Sequence, residues 1–312
     1  MHATTRPPIW KVLLAFATIY FVWGSTFLAI RVGVREVPPF LLAGLRFLIA
    51  GLVLYGWMRM RGTPSPTGRE WTAASILAVL IFVLDYGLLF WAERTVPSGI
   101  AAVMLATIPV FMAIGEIVFL RTQHMTWRLA LALLMGLGGV GVLVGRGAGM
   151  GSAAVSPLGA GALMIAALSW SVAASLSRKM PLPAEKAMSS GAQMLAGGVL
   201  LILAAALLGE FRGFHWQAVS AKAWLALAYL TVAGSIAGFT AYVWLIHHES
   251  PTKVGTYAYV NPVVAVVVGY FFGGEALGAR TIAGTLLVLV SVVVITTMPK
   301  GVQVEEVEQL AE

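Results

Sequence analysis

Ten long apolar segments restrict the fold of this chain more than any other feature of its sequence. Their approximate limits are 10–33, 39–59, 71–91, 97–119, 127–146, 157–178, 187–208, 221–246, 252–272 and 279–298. Each is close to the ~20 residues that a helix needs to cross the hydrocarbon core of a bilayer. Strands of a membrane barrel would instead alternate over about 10 residues, and backbone groups inside lipid must be paired within the segment. The sequence therefore predicts an all-α integral membrane protein with ten transmembrane helices.

The scarcity of charged residues supports a membrane protein rather than a soluble one. Only 11% of the 312 residues are charged and 59% are hydrophobic, whereas a soluble domain carries about 25% charged residues. The net charge of +7 does not indicate nucleic-acid binding, because the basic residues lie in short clusters between apolar segments. The absence of Cys excludes thiolate metal sites. The predicted partners are the lipid bilayer and a small-molecule substrate, with no nucleic acid, metal or cofactor; a homodimer is left open.

The distribution of basic residues predicts the orientation of the chain. The first apolar segment is too long for a cleaved signal peptide and is expected to be retained as a span. With the N-terminus inside, twelve of the twenty Lys and Arg residues lie in inner loops and termini, and seven lie at outer ends. Since cytoplasmic loops are enriched in Lys and Arg, this predicts a multi-pass protein of the cytoplasmic (inner) membrane with both termini in the cytoplasm.

Matching spacings of Trp and Pro indicate that the chain consists of two related halves. Distances of twenty, eighteen and twenty-three residues each occur twice, in matching order along the halves. The pairs are Trp71–Trp91 with Trp224–Trp244, Trp91–Pro109 with Trp244–Pro262, and Trp23–Arg46 with Trp170–Gln193. Self-similarity of this kind is typical of an internal repeat.

The repeat predicts how the chain is divided. The first five-helix repeat covers residues 1–148, a Gly/Ala/Ser linker 149–156, the second five-helix repeat 157–300, and an acidic cytoplasmic tail 301–312. Because each half holds an odd number of spans, the second copy starts on the opposite side of the membrane. The predicted architecture is two inverted five-helix repeats, which is typical of transporters with a site near the midplane between the repeats.

Three segments of the first half and one of the second resemble the EamA-type members of the drug/metabolite transporter superfamily. These are FVWGSTFLAIRVG, PPFLLAGLRFLIAG and SGIAAVMLATIPVFMAI, followed by YAYVNPVVAVVVGYFFGGEALGARTIAGTLLVLVSVVV. The resemblance implies an export-biased permease for metabolites, amino acids or amphipathic drugs, with helices one to four and six to nine around its cavity. It also implies that Glu275 closes helix nine. The first-half counterpart of Glu275 is Thr122, where the family often has a second glutamate, so a symmetrical role for this pair is not expected.

Three ionisable residues lie inside predicted spans, where a charge costs about 2.5–3.5 kcal/mol on insertion scales. Arg46 is predicted to bind a substrate carboxylate or phosphate; the alternatives are snorkelling to the outer headgroups or a structural hydrogen bond. Asp85 is predicted to bind a cationic group or to couple transport to a proton gradient, and the alternative is an internal partner for Arg46. Glu116 is a second proton-coupling candidate, unless it reaches the inner interface near Arg121 and Arg128.

Aromatic residues recur in both halves and suit the wall of a cavity for flat or amphipathic solutes, although many such residues form interfacial belts instead. Trp23 and Trp170 lie mid-span at equivalent positions. Asn261 precedes Pro262, which interrupts the helical hydrogen bonds and allows either a hinge or a binding role. The predicted substrate-binding residues are Trp23, Arg46, Asp85, Tyr86, Trp170, Gln193, Tyr242, Tyr259 and Asn261.

Several motifs with other functions are excluded. Gly136, Gly138 and Gly141 match GxGxxG, but they lie in an apolar helix with no preceding strand, so close helix packing explains them better. No Walker A motif is present, which leaves gradient-driven or facilitated transport. We therefore expect a secondary transporter working by alternating access and no enzyme; a gradient-independent uniporter or channel is the main alternative. A membrane enzyme acting on lipids is a remote one, since His247, His248 and Glu249 form its sole candidate cluster.

Overall fold

The computed structural model describes residues 7–115, 117, 125–144, 155–177, 179–249, 254 and 256–297. The regular structure in these ranges is helical throughout. The main helices are α1 Ile9–Gly33, α2 Pro39–Met60, α3 Gly68–Ala92, α4 Ser98–Gly115, α5 Trp127–Val144, α6 Pro157–Ser177, α7 Lys186–Leu207, α8 Ala221–Leu245 (which continues to His248), α9 Tyr257–Gly273 and α10 Ala279–Thr297.

Nine helices within the described ranges are long and apolar enough to cross a bilayer. The remaining one, α9, has 17 residues and so spans about 26 Å, slightly less than the ~30 Å hydrocarbon core. In sequence order these ten helices correspond to the ten predicted segments. Glu116, residues 149–154 of the predicted linker and the predicted tail 301–312 lie outside the described residues.

Local sequence signals explain several helix ends. Proline is tolerated in the first helical turn because its missing N–H would have no partner there, and α2 begins at Pro39 and α6 at Pro157. The side chain of Thr67 accepts from the backbone N–H of Glu70, whose own side chain accepts from the backbone of Thr67. This reciprocal capping box starts α3. α9 ends at Gly274, whose φ of 64° favours glycine.

Glycine lets α2 and α7 pack with their backbones in close approach. A Cβ atom added at Gly198 of α7 would lie 2.4 Å from the backbone nitrogen of Leu48 on α2. One added at Gly51 of α2 would lie 2.4 Å from the backbone nitrogen of Leu195. Small residues at helix interfaces in membranes permit this kind of contact. The interface fixes α2, which carries Arg46, against a helix of the other half.

The helices α5 and α10 also pack closely, and their contacts test the interpretation of the GxGxxG sequence. A Cβ atom at Gly136 would lie 2.6 Å from the hydroxyl of Ser291 on α10, so close packing is confirmed there. No atom lies within 4 Å of a Cβ built at Gly138 or Gly141, and the packing interpretation is wrong for these two. The residue that approaches α10 beside Gly136 is Gly139, whose added Cβ would lie 2.9 Å from the carbonyl oxygen of Gly284.

Three π-helical segments lie in full within the described residues, and such segments are frequent at functional sites. They are Thr18–Val22 in α1, Val79–Tyr86 in α3 and Leu230–Ala237 in α8. In each of them a backbone carbonyl faces a donor from another helix. In α8, the carbonyl of Gly234 accepts from the indole of Trp23 at 3.0 Å. In α3, the carbonyl of Leu80 accepts from the hydroxyl of Ser169 at 2.8 Å. In α1, the carbonyls of Ile19 and Tyr20 each lie 3.2 Å from the amide nitrogen of Asn261, oriented to donate. These bonds hold the irregular turns in place within the bundle.

One end of the molecule is closed by acidic side chains that cap helices of the other predicted half. We name it the capped face; it consists of the loops 34–38, 93–97, 208–220 and 274–278 and the helix ends beside them, and the opposite end is the uncapped face. The carboxylate of Glu36 accepts hydrogen bonds from the backbone N and Oγ of Ser220, at 2.6 and 2.7 Å. The carboxylate of Glu210 accepts from the backbone N of Phe40 and of Leu41, at 3.3 and 2.8 Å. The carboxylate of Glu275 accepts from the backbone N and Oγ of Ser98, at 2.7 and 2.6 Å, and from the backbone N of Gly99, at 3.0 Å. All three carboxylates thus bind helix N-termini, where backbone N–H groups and the helix dipole favour negative charge.

Candidate functional site

Arg46 is buried between helices of the two predicted halves. It is the eighth residue of α2, about 10 Å along the helix from the capped face, and 3% of its surface is exposed. Its Nε donates to the hydroxyl of Ser235 on α8 at 2.9 Å, while Nη1 has no hydrogen-bond partner among the described residues. The guanidinium therefore keeps an unused donor in the interior, where an unpaired polar atom is costly.

Aromatic rings line the position of Arg46. The guanidinium carbon lies 4.6 Å from the ring centroid of Phe47 and 5.4 Å from that of Tyr86, close enough for cation–π attraction. The ring of Tyr86 lies 6.2 Å from that of Trp170 on α6. The helices α2, α3 and α6 thus meet at one aromatic surface beside the buried cation.

A second aromatic group lies beside the π-helical segment of α8. The ring of Trp23 packs against Tyr257 at 5.2 Å and against Tyr242 at 5.5 Å, and these two tyrosines lie 6.0 Å apart. The indole bond of Trp23 to Gly234 and the guanidinium bond of Arg46 to Ser235 end on adjacent residues. The π-helical segment of α8 therefore joins the two aromatic groups into one site, which we name the central site.

Asp85 is buried in the π-helical segment of α3, next to Tyr86. Its exposed fraction is 3%, and its Oδ1 has no hydrogen-bond partner in the described part of the chain. No ion pair joins Asp85 to Arg46 within the described residues. The alternative in which Asp85 is the direct partner of Arg46 is thus not observed, and both side chains keep unused hydrogen-bonding atoms.

Three other predicted site residues have partners other than Arg46. The amide of Gln193 donates to the backbone and side chain of Ser189 on its own helix. The hydroxyl of Tyr259 bonds Thr296 of α10 at 2.5 Å, on the side of α9 that faces α10. Asn261 faces the π-helical segment of α1. Glu116 lies outside the described residues.

Sequence reasoning missed three members of the central site. Ser235, Phe47 and Tyr257 contact Arg46 or Trp23, but they were not chosen as binding residues. Ser235 was detectable as a polar residue inside an apolar span, but nothing in its spacing pointed to Arg46.

An apolar groove of about 500 Å³ lies between α2 and α8 on the side of the uncapped face. It is lined by Leu52, Val53, Leu54, Gly56, Trp57, Met60, Ile236 and Thr240. Ile236 directly follows Ser235, so the groove starts next to the central site. Its walls come from one helix of each predicted half.

The central site has the chemistry for binding a small solute. A buried guanidinium with a free donor binds carboxylate or phosphate oxygens, and the aromatic rings offer surfaces for apolar or cationic groups. No group of three or more His, Cys, Asp or Glu side chains that would suit a metal ion occurs among the described residues.

The comparisons with known proteins agree with this arrangement. A model of the EamA-like transporter family matches residues 9–145 and again residues 157–297. The uncharacterized inner membrane transporter YedA of Escherichia coli strain K12 is 35% identical over 292 residues, which cover 93% of this chain and 90% of that protein. The uncharacterized transporter YvbV of Bacillus subtilis strain 168 is 25% identical over 290 residues, with 93% and 92% covered.

The similarity extends to a solved structure described only as the crystal structure of a protein. It has a TM-score of 0.57 and 24% sequence identity, and the match covers 93% of this chain and 96% of that one. At this identity the likeness concerns the fold alone. The family match over both halves and the relatives named as inner membrane transporters identify the function at the level of the family. This chain, a multi-pass membrane protein with transporter relatives, therefore belongs to the EamA-like transporter family.

Proposed function

We propose that this protein is a secondary transporter that exports small metabolites, amino acids or amphipathic drugs across the cytoplasmic membrane by alternating access of two inverted five-helix repeats. The substrate binds in the central site, with its anionic group on Arg46 and its remaining surface against Trp23, Tyr86, Trp170 and Tyr242. Both termini lie in the cytoplasm, so the capped face is the outer one.

The observation that carries this proposal is the unpaired guanidinium of Arg46 between α2 and α8. A cation at this depth costs about 2.5–3.5 kcal/mol, and within the described residues no carboxylate pairs with it. An oxyanion from a substrate would use the free Nη1 and offset the charge. Because Ser235 belongs to the second predicted half, a ligand here contacts both halves at once.

The inverted repeat is supported by features of the two predicted halves. The π-helical segments of α3 and α8 begin at residues 79 and 230, that is 151 residues apart, close to the 153 that separate Trp71 from Trp224. The same family model also matches each half in turn. Two halves related in this way rock around a central site to expose it alternately on the two sides.

The closed capped face and the groove beside Ser235 support a conformation that opens toward the cytoplasm. All three carboxylate caps at the capped face join one half to the other, so this end has to separate before the substrate leaves to the outside. The groove between α2 and α8 has Ile236 and Met60 in its lining, and we propose it as the route from the uncapped face. Asp85 is the proposed proton-coupling residue of the central site, and Glu116 remains a second candidate.

A gradient-independent uniporter or channel for similar solutes is the competing function. It would use the same fold and the same binding residues, but it would need no proton-coupling residue. The buried and unpaired Oδ1 of Asp85 favours coupling, because an ionisable group inside a span is costly unless it has a function. The variant Asp85→Asn separates the two: it abolishes accumulation driven by a pH gradient in the coupled case and leaves flux unchanged in the other.

The decisive experiment measures flux into proteoliposomes of amino acids, nucleobases and quaternary ammonium drugs, with and without a pH gradient. Arg46→Gln should lower the apparent affinity for solutes with a carboxylate by roughly 10- to 150-fold, which corresponds to a charge-assisted hydrogen bond of about 1.5–3 kcal/mol. Arg69→Gln is the matched control, because this arginine is exposed at the start of α3, and it should leave flux unchanged.

The outcomes separate the parts of the proposal. Absence of flux for every solute in the panel would contradict transport of these classes, and equal flux by Arg46→Gln and the parent would remove Arg46 from the binding site. Single cysteines at Arg61 and Gln217, in a chain that has no native Cys, test the orientation. The cysteine at 217 should react with an impermeant maleimide from outside and the one at 61 should not; the reverse pattern would invert the assignment.

A further inference from the structure

Glu93 is a buried carboxyl group at the capped face, in the loop between α3 and α4. Its exposed fraction is 1%, and neither of its carboxyl oxygens accepts a hydrogen bond of normal geometry from the described residues. It lies one residue beyond α3 and is therefore outside the spans. A carboxylate in such surroundings loses its hydration without gaining a partner, which is among the costliest states of a side chain.

The charged groups around Glu93 come from helices of both predicted halves. On α1, Arg31 donates through Nη1 to the carbonyl of Val96 at 2.6 Å, and its Nε lies 3.5 Å from Oε1 of Glu275. Glu275, between α9 and α10, also caps the N-terminus of α4 at Ser98. Arg94 is the neighbouring charge on the same loop. The guanidinium of Arg31, already engaged by Glu275, also acts electrostatically on Glu93.

These surroundings favour the neutral form of Glu93. Burial raises the pKa of the Glu93 carboxyl well above its usual range, and the nearby negative charge of Glu275 raises it further. The positive charge and the backbone N–H of Arg31 act in the opposite direction but are the smaller effects. Two carboxyl groups that share one cation hold a proton between them for the same physical reason.

We propose that Glu93 is a proton-binding site, and that closing the capped face traps one proton from the outer solution on its carboxylate. The step is a single protonation, in which an oxygen of the Glu93 carboxylate takes a proton from water and the carboxyl group becomes neutral. Opening separates Glu275 from Ser98 and Arg31, hydrates Glu93 and returns the proton to the outer side. The site is distinct from the central site.

This assignment makes opening of the capped face depend on pH with a defined sign. The closed state binds a proton more tightly than the open state, so acid favours closure and the open fraction rises with pH. Linkage of one proton limits the change to about tenfold per pH unit. The dependence lies between the ordinary pKa of an exposed glutamate, about 4.3, and the raised value of the closed state.

A cysteine at Ala102 reports whether the capped face is open. Ala102 is 2% exposed and lies one turn beyond Gly99, whose added Cβ would contact Val266 of α9 at 2.9 Å. Residues three apart share a helix face, so Ala102 faces the α4–α9 contact between the predicted halves. We would measure the reaction rate of Ala102→Cys with an impermeant maleimide added outside, from pH 5 to 8. The rate at an exposed reference, Gln217→Cys, corrects for the pH dependence of the thiol itself.

The corrected rate should rise with pH in the Ala102→Cys parent and should be low and much less dependent on pH when Glu93→Gln is added, because glutamine imitates the neutral carboxyl. Glu70→Gln, at the uncapped face, is the matched control and should keep the pH dependence of the parent. A pH-independent rate in the parent, or the same pH dependence with Glu93→Gln as without it, would overturn the proposal.

A second variant keeps the test decisive if Glu93→Gln fails to fold. Glu93→Asp retains the acid with a shorter side chain, so the pH dependence should persist with a shifted midpoint; its loss in a folded Glu93→Asp protein would also overturn the proposal. The inference rests on the proposed rocking of the two halves, but it is read from accessibility rather than flux. A pH-dependent rate without any flux would contradict the transport proposal alone, and flux with a pH-independent rate would contradict the proton site alone.

Discussion

The glycine contact between α2 and α7 gives the sharpest test of how the bundle is assembled. In Gly198→Ala the new methyl carbon would lie 2.4 Å from the backbone nitrogen and 2.6 Å from the Cα of Leu48. Ordinary van der Waals contact begins at 3.4 Å, so the two helices must move apart by about 1 Å, which is the difference between the two distances. The atoms it meets belong to the backbone, and a rotamer change cannot relieve the clash.

The expected cost follows from overpacking, which destabilises a packed interior by about 1–3 kcal/mol. Replacing glycine by alanine in a helix contributes about 0.5–1 kcal/mol in the opposite direction, so Gly198→Ala should be destabilised by up to about 2.5 kcal/mol. Gly138→Ala is the matched control, since no atom lies within 4 Å of its added Cβ, and here the helix-favouring contribution should remain alone. The two variants should therefore change stability in opposite directions.

The measurement is thermal unfolding in detergent, followed by the fluorescence of the ten Trp residues. Gly198→Ala should melt a few degrees below the parent, and Gly138→Ala at or above it. The shift of α2 also lengthens the 2.9 Å bond from Arg46 to Ser235, so flux should fall in Gly198→Ala and stay unchanged in Gly138→Ala. A Gly198→Ala protein as stable as Gly138→Ala would refute the close approach of α2 and α7.

Two further predictions concern polar contacts. Ser235→Ala removes the hydroxyl that accepts from Arg46, and the freed guanidinium should bind carboxylate substrates with an apparent affinity changed by less than tenfold. Arg46→Gln should lose much more of this affinity. Equal losses of affinity in the two variants would contradict the assignment of Arg46 as the anchor. At the capped face, hydrogen bonds from Ser220 lower the pKa of Glu36, so its contribution to stability is present above the ordinary pKa of about 4.3 and is lost as pH falls through the lowered value. Below about pH 4, the melting temperature of the parent should therefore drop more than that of Glu36→Gln. Parallel curves of melting temperature against pH for the two proteins would refute the hydrogen-bonded cap at Ser220.

The sequence predicted the spans and part of the central site for physical reasons that can be stated. Apolar length alone marks helices that cross lipid, and an arginine inside such a length attracts attention because its burial is expensive. Tyr86 accordingly lies beside both Arg46 and Trp170, and Trp23 contacts Tyr242 of α8. Their partners come from other helices, and a single sequence contains no information on which helices touch.

Two predicted binding residues, Gln193 and Tyr259, are not part of the central site, because repeat spacing and position in a span do not fix the direction of a side chain. Gln193 was chosen as the repeat counterpart of Arg46, yet it bonds Ser189 of its own helix. Tyr259 was preferred to Tyr257, but residues two apart on a helix point about 200° apart, and it is Tyr257 that packs on Trp23. The sequence did not single out Glu93, because an acidic residue at the end of a span is usually a charge at the membrane interface. Its charged neighbours, Arg31 of α1 and Glu275 after α9, are distant in the sequence.

The π-helical turns have a consequence for comparing this chain with its relatives. A π turn holds one more residue than an α turn, so removing one residue from Leu230–Ala237 together with its π turn would restore an ordinary α-helix and leave Tyr242 facing Trp23 much as before. A gap of one residue within 79–86 or 230–237 in an alignment should therefore be treated as the gain or loss of a π turn. Relatives that differ there are expected to present the same side chains after the turn, and to lose only the backbone carbonyl that the π turn offers to another helix, such as that of Gly234 to Trp23.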